Sequence, residues 1–275
     1  MAALTETPAK KLGWAAADII VLLYAFIPVV WIISLSLKGP DTLNDGKFLP
    51  GNPVTTAYSD IFKNDDFIRA LINSIGICVI STFVALVLGT MAALALQRFR
   101  FFGRDTVSLL IILPIALPGV VTGVALANFF TTMIGIQLGM FTLIVSHATF
   151  CIVTVFNNAV ARLRRLGSNL EEASMDLGAG TFRTFYKITL PMLRSSLLAG
   201  CLLAFALSFD EIIVTTFTVG QGIQTLPIWI YQNLFRPNQA PVVNVVAAVL
   251  ILASIVPIWL AQKLAGTDES VAAAR

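Results

Sequence analysis

Long apolar runs alternate with short polar, basic connectors along almost the whole chain, and six of the runs reach the length that a membrane demands. Crossing a hydrocarbon layer about 30 Å thick takes about 20 residues of helix. Lipid offers no partner for a free backbone amide, so only a helix that bonds its own backbone is tolerated there. The six runs are 15–37, 71–96, 107–130, 140–160, 193–219 and 242–264. An even count puts both termini on one side. The pattern divides the chain into an N-terminal segment 1–14, a six-span region 15–264 and a tail 265–275. Pro114 and Pro118 lie in the third run ahead of Gly119 and Gly123, which predicts a kinked helix whose small-residue face lets another backbone come close.

Composition strengthens this reading. The 275 residues are 57% hydrophobic and only 12% charged, against about 25% charged in soluble domains. The fold class is therefore an all-α membrane protein, and a net charge of +3 is no argument for nucleic-acid binding. Where the basic residues sit matters more, because anionic lipid and the membrane potential hold basic loops in the cytoplasm. With both termini inside, the cytoplasmic segments hold Lys10, Lys11, Arg98, Arg100, Arg104, Arg162, Arg164, Arg165, Arg183, Lys187, Arg194, Lys263 and Arg275, thirteen of the eighteen. Lys38, Lys47, Lys63, Arg69 and Arg236 lie outside. The first run follows Lys10 and Lys11 and is longer than a signal-peptide core, so it is expected to be a retained anchor. Cys78, Cys151 and Cys201 all fall in apolar runs and form no disulfide framework or zinc spacing.

Three connectors are more than turns. The first external one, 38–70, is long and rich in Gly, Pro, Asn and Asp, which predicts a structured or partner-touching loop. The third, 220–241, contains the apolar run 226–231 (LPIWIY), read as a short interfacial helix with an aromatic anchor or as a partner contact. The third connector of interest, 161–192, is cytoplasmic and too polar for lipid. Ser168 and Glu171 there have the spacing of a capping box and Gly178 that of a helix stop. Leu170, Ala173, Ser174 and Leu177 recur at helical spacing between them. A second short helix is expected from Thr181, with Phe182, Phe185 and Tyr186 on one face and Pro191 near the first turn of the next span. Two short amphipathic helices joined by glycine and exposed to the cytoplasm invite a protein partner. The nearby cluster Arg162, Arg164 and Arg165 suits anionic lipid.

Glu172-Ala173-Ser174, Gly178, Ile188, Leu190 and Pro191 reproduce the spacing E-A-A-xxx-G-x9-I-x-L-P, with Ser174 in place of the second Ala. This resembles the signature loop of binding-protein-dependent ABC importer permeases. The runs 113–119 (LPIALPG), 146–151 (SHATFC) and 206–213 (ALSFDEII) look most like the second permease subunit of spermidine/putrescine importers, the PotC-type branch. The resemblance implies a type I importer permease (MetI-like) fold with an EAA coupling helix, in the bacterial inner membrane, N- and C-termini cytoplasmic. It implies as partners a paralogous permease subunit, two ATPase subunits, an external substrate-binding protein and membrane lipid. The coupling set it implies is Glu172, Ala173, Ser174, Asp176, Gly178, Ile188, Leu190 and Pro191, with Glu172 and Gly178 the positions that carry over.

No G-x-x-x-x-G-K-[ST] motif occurs, so no cofactor is expected in this chain; ATP and Mg are expected on the partner ATPase. His147 is the single histidine and reads as a packed or hydrogen-bonded residue, leaving no catalytic set and no enzyme activity of the chain's own. Of the carboxylates within the runs, Asp18 is near the cytoplasmic edge, whereas Asp210 and Glu211 are deep, at about 2.5 to 3.5 kcal/mol each on insertion scales. On a helix Glu211 shares a face with Ser208, Thr215 and Thr218, and Asp210 with Leu203, Ala206 and Ile213. Ser208, Glu211 and Thr215 are thus the candidate translocation path for a cationic solute, with Asp210 beside them expected mainly to support helix packing. A contact of this region with the partner permease is the competing reading. The cargo alternatives are 4-aminobutyrate or another amino acid, a phosphonate or an iron complex. An ion-coupled secondary carrier would use the same carboxylates but has no use for a coupling loop.

Overall fold

The structure, a computed structural model, describes residues 8–39, 42, 45–236 and 241–255. Its main helices, in chain order, are α1 (Pro8–Ser36), α2 (Thr56–Ile61), α3 (Asp65–Arg98), α4 (Arg104–Ala116), α5 (Gly119–Asn128), α6 (Met140–Leu166), α7 (Asn169–Asp176), α8 (Thr181–Thr184), α9 (Leu190–Phe209), α10 (Ile213–Thr218), α11 (Leu226–Leu234) and α12 (Pro241–Ile255). Wider π turns extend α5 over Phe129–Ile134 and join α8 to α9 over Phe185–Thr189. No strand occurs among the described residues. The chain forms two compact units, Asp66–Trp229 and the described residues on either side of it.

In the unit Asp66–Trp229, α6 is the central helix. Its Phe150, Cys151, Val155, Phe156, Ala159 and Leu163 join Ala85, Ala93 and Leu96 of α3 and Leu193, Leu197 and Ala204 of α9 in one buried cluster. Packing of this kind, rather than water exclusion, holds membrane helices together, and small residues allow it. At Gly89 of α3 a Cβ would stand 3.0 Å from the Ile152 carbonyl oxygen and 3.1 Å from Val155 Cβ of α6. Ser81 Oγ donates across the same contact to the Ile144 carbonyl at 3.1 Å.

Two of the expected spans are interrupted. The third turns by 110° between α4 and the α5 segment. Pro118 has no N–H to give and forces the residue before it out of helical geometry, and Leu117 accordingly has ψ 146°. The expected kink is thus a break. The fifth ends at Phe209, and Asp210–Ile212 separate α9 from α10. By length and composition four described helices can cross a membrane, Leu12–Ser36, Asp65–Arg98, Met140–Leu166 and Thr181–Phe209, or five if the bent pair counts as one span. Of the sixth run, α12 accounts for residues up to Ile255; the rest lies outside the described residues.

The run 226–231 is helical, but Trp229 is buried and meets Phe67 edge-on at 5.5 Å between centroids, while Ser74 Oγ accepts the Leu226 N–H at 2.7 Å. Trp229 is therefore a packing residue and not an interfacial anchor.

In the other unit, α1 is apolar all round and almost wholly exposed, as suits lipid or a partner. Lys38 just beyond it is buried, its Nζ 2.6 Å from Asp45 Oδ1 and 2.6 Å from the Lys47 carbonyl oxygen. The bond from Lys38 holds the Asp45 carboxyl below its ordinary pKa. Ser34 Oγ donates to the Phe48 carbonyl and Val54 N–H to the Leu37 carbonyl. This part of the connector 38–70 is therefore a folded structure.

The Gly89 contact gives a direct test of the α3–α6 packing. Gly89→Val should destabilise the detergent-solubilised protein by about 1 to 3 kcal/mol, the usual range for overpacking. A thermal midpoint equal to that of the native chain would mean that the two helices do not approach this closely.

Candidate functional site

The loop between α6 and α9 folds as a compact knob. α7 ends at a turn where Gly178 has φ +84°, a conformation that side chains resist. Ser174 Oγ lies 3.0 Å from Thr184 Oγ1, tying α7 to α8. Pro191 leaves the carbonyl four residues earlier without its helical donor, and the wide π turn over Phe185–Thr189 absorbs the misfit, so the helix runs on from Thr181 to Phe209. Ala173, Ser174, Gly178 and Ile188 line one shallow hollow with Leu170 and Leu177. Glu172 and Asp176 are exposed beside it, whereas Leu190 and Pro191 form the base at the start of α9. Leu177 is 89% exposed, and Phe182, stacked on Tyr186, is 80% exposed. Apolar side chains so placed on a polar loop mark a surface that something else covers.

The capping box does not form. Ser168 Oγ donates to Glu172 Oε1, while Glu171 turns inward, its Oε2 2.7 Å from Arg98 Nε and its Oε1 accepting from Thr189 Oγ1 at 2.8 Å. A guanidinium offers a charge-assisted pair that a single backbone N–H cannot match. Sequence reasoning missed this partner. The signal was Arg98 itself, a cation at the end of an apolar run.

The second candidate region is a buried polar centre around His147. Its Nδ1 is 2.8 Å from Ser208 Oγ on α9 and its Nε2 is 2.9 Å from Thr215 Oγ1 on α10. Thr215 spends its own proton on the Glu211 carbonyl at 2.8 Å, so it can only accept from the ring. That assigns the proton to Nε2 and makes Nδ1 the acceptor of the Ser208 hydroxyl. The imidazole thus clamps both sides of the break at Asp210–Ile212. Glu211 Oε1 accepts the Val214 N–H at 2.8 Å and caps α10. α10 lies against α5, where a Cβ at Gly123 would stand 2.8 Å from Phe217 Cδ2.

Ser208, Thr215 and Thr218 are therefore buried against α6 and line no open channel here. The crevice that Glu211 and Ser208 line with Ser74, Cys78, His147 and Thr225 is too narrow for a water molecule. Asp210, by contrast, is exposed. The structure brings Ser208, Glu211 and Thr215 together through His147 and leaves Asp210 apart.

A helical chain of several apolar spans, with a compact knob between two of them, is the architecture of an integral membrane protein. The chain belongs to the family of binding-protein-dependent transport system inner membrane components, whose model matches residues 85–265. It is a multi-pass permease of the bacterial inner membrane and a transport component. It is 32% identical over 244 residues to the spermidine/putrescine transport system permease protein PotC of Escherichia coli, covering 88% of this chain and 89% of that one. It is 36% identical to the putrescine permease PotI of the same organism, over 72% of each chain. The trehalose transport system permease SugB of Mycobacterium tuberculosis is 33% identical over 78% of each. The fold resembles a bacterial ABC transporter involved in the import of the acidic polysaccharide alginate, with a TM-score of 0.76 and 18% identity over 95% of this chain and 99% of that one. It also resembles the MetNI methionine ABC transporter, with a TM-score of 0.59 and 18% identity over 72% and 93%. The fold is thus that of an ABC importer permease.

The clamp generates a stability test. His147→Ala leaves the Ser208 and Thr215 hydroxyls short of a buried partner and should lower stability by roughly 1 to 3 kcal/mol, read by thermal unfolding in detergent. An unchanged midpoint would mean that the ring does not hold the break.

Proposed function

We propose that this chain forms half of the translocation path of an ATP-driven importer and couples it to a separate ATPase through the knob at 161–192. The exposed apolar surface around Gly178 supports this reading. In it, Glu172, Ala173, Ser174, Asp176, Gly178 and Ile188 meet the ATPase, and Leu190 and Pro191 join the knob to α9. Two ATPase subunits bind ATP and Mg and carry out the hydrolysis; a paralogous permease and an external binding protein complete the complex. The knob faces the cytoplasm together with both termini, segments 1–14 and 265–275, in accord with the thirteen-to-five distribution of basic residues. Glu172→Lys puts the wrong charge on the knob and Gly178→Asp puts a side chain at φ +84°. Both should abolish capture of the ATPase by inside-out vesicles and its stimulation by loaded binding protein. Capture at native levels by both variants, or equal capture by right-side-out vesicles, would remove the assignment.

The cargo we propose is a small cationic amine of the polyamine class. Two relatives are named for spermidine or putrescine, and the break at Asp210–Ile212 supplies two carboxylates, while Arg194, the one basic residue of their own run, stands sixteen residues before Asp210 at its other end. Asp210 is the exposed one and Glu211 adds its charge from the α10 cap, with Ser208 and Thr215 holding the break in place. The trehalose permease favours a second reading, since its similar identity allows a neutral sugar as cargo. A carboxylate and a cation in contact through water gain about 1 kcal/mol, roughly fivefold in occupancy. Asp210→Asn and Glu211→Gln should therefore cut uptake of labelled spermidine by about that factor with the complex still assembled on gel filtration. Undiminished uptake by both variants, or competition by excess trehalose, would favour the neutral cargo.

A further inference from the structure

Arg98 is the last residue of α3 and points across the end of α6 toward the knob. Its Nη2 donates to the Gly167 carbonyl, the residue that closes α6, at 2.8 Å, and to Glu171 Oε1 at 3.1 Å, while Nε lies 2.7 Å from Glu171 Oε2. Thr189 Oγ1 holds the same carboxylate from the start of α9 at 2.8 Å. The two charged side chains are only 20% and 16% exposed, so water screens the pair less than it would an ion pair on the surface. We propose that the Arg98–Glu171 pair is a positioning strut, by which movement of the knob is delivered to α3 as well as to α9. The geometry behind this is specific. The chain links α7 covalently to α6 and to α9, and the covalent path to α3 is long; the guanidinium supplies the direct link. Glu171, rather than its neighbour Glu172, is the acidic residue that faces inward, so one carboxylate receives the push while the other stays exposed toward the ATPase, bonded only to the Ser168 hydroxyl. Without the strut, closing of the ATPase would reach α3 only through its apolar packing on α6 and α9, with no polar tie at the cytoplasmic end.

The proposal rests on the coupling reading above, and its test keeps the two apart. The complete importer, with both permeases, the ATPase and the binding protein, is reconstituted with Arg98→Glu, Glu171→Arg or both. Each single variant should still capture the ATPase, keep its unstimulated hydrolysis and lose about tenfold in uptake per ATP hydrolysed, within the range found for residues that transmit coupling. The double variant restores the pair with the charges exchanged and should recover a large part of that ratio. Thr189→Val, which removes one bond to the carboxylate and keeps the charge pair, should have a smaller effect in the same direction. A native ratio in the single variants, or a double variant no better than either single one, would overturn the strut. If instead the Glu172 and Gly178 variants captured the ATPase normally, the coupling reading would fall on its own evidence, whatever the Arg98 series did.

Discussion

A backbone amide that meets lipid without a partner costs several kcal/mol, and this constraint governs where the chain can and cannot depart from helix. Along α3 and α6 there is no departure, and the two pack closely through Gly89 and Ser81. Where the helix does stop, replacement partners are built in. At Leu117 the interruption is prepaid by Pro118, which has no N–H to leave stranded. At Asp210–Ile212 it is made good by side chains: the Glu211 carboxylate takes the Val214 N–H, Thr215 takes up the Glu211 carbonyl, and His147 bonds Ser208 and Thr215 across the gap.

The breaks divide the unit Asp66–Trp229 into a rigid centre and parts that hang on it. α6, buried along most of its length, carries His147 near its beginning and ends at Gly167, where the knob starts. One helix therefore touches both the break at Asp210–Ile212 and the base of the knob. α10 packs on α5 through Gly119 and Gly123 as well as on α6, so the two short segments beyond the breaks lie against each other on one side and share the central helix on the other. A two-position transporter needs segments that can shift while their backbone bonds stay made. Short capped helices meet that need better than a single long one.

The membrane class and the knob were legible in the sequence, because length of apolar run and the spacing from Glu172 to Pro191 are one-dimensional signals. Gly178 stands where the chain needs φ +84°, and Phe182 and Tyr186 form the face their spacing implied. Where the spans break was harder to see. Pro118 signalled a distortion, but a proline alone does not distinguish a kink from a turn of 110°. The run from Phe209 to Ile213 contains neither proline nor glycine, and its break is stabilised by bonds to His147, 61 and 68 residues distant from Ser208 and Thr215. Helical spacing grouped Ser208, Glu211 and Thr215 on one stripe and suggested an open path; the histidine closes that stripe instead. Likewise the spacing of Ser168 and Glu171 is that of a capping box, and only the fold reveals that Arg98 competes for the carboxylate.

Adjacent acids occur in both candidate regions, Glu171 with Glu172 and Asp210 with Glu211, and in each pair one acid is turned inward and the other is exposed. On α7 neighbouring side chains point about 100° apart, which lets Glu171 turn inward while Glu172 stays exposed; at Asp210 and Glu211 the break between α9 and α10 separates the two instead. One of each pair is turned inward and spent on the fold, Glu171 on Arg98 and Thr189, Glu211 on the cap of α10. The other, Glu172 or Asp210, is exposed. A carboxylate held by donors resists displacement and fixes the local backbone, which makes its neighbour's position definite while leaving that neighbour's charge unused. The free charge is thereby set on a rigid base, the arrangement a site needs if binding is not to cost the ordering of its own residues. The two acids of each pair are therefore not interchangeable, although they are identical or nearly so in chemistry.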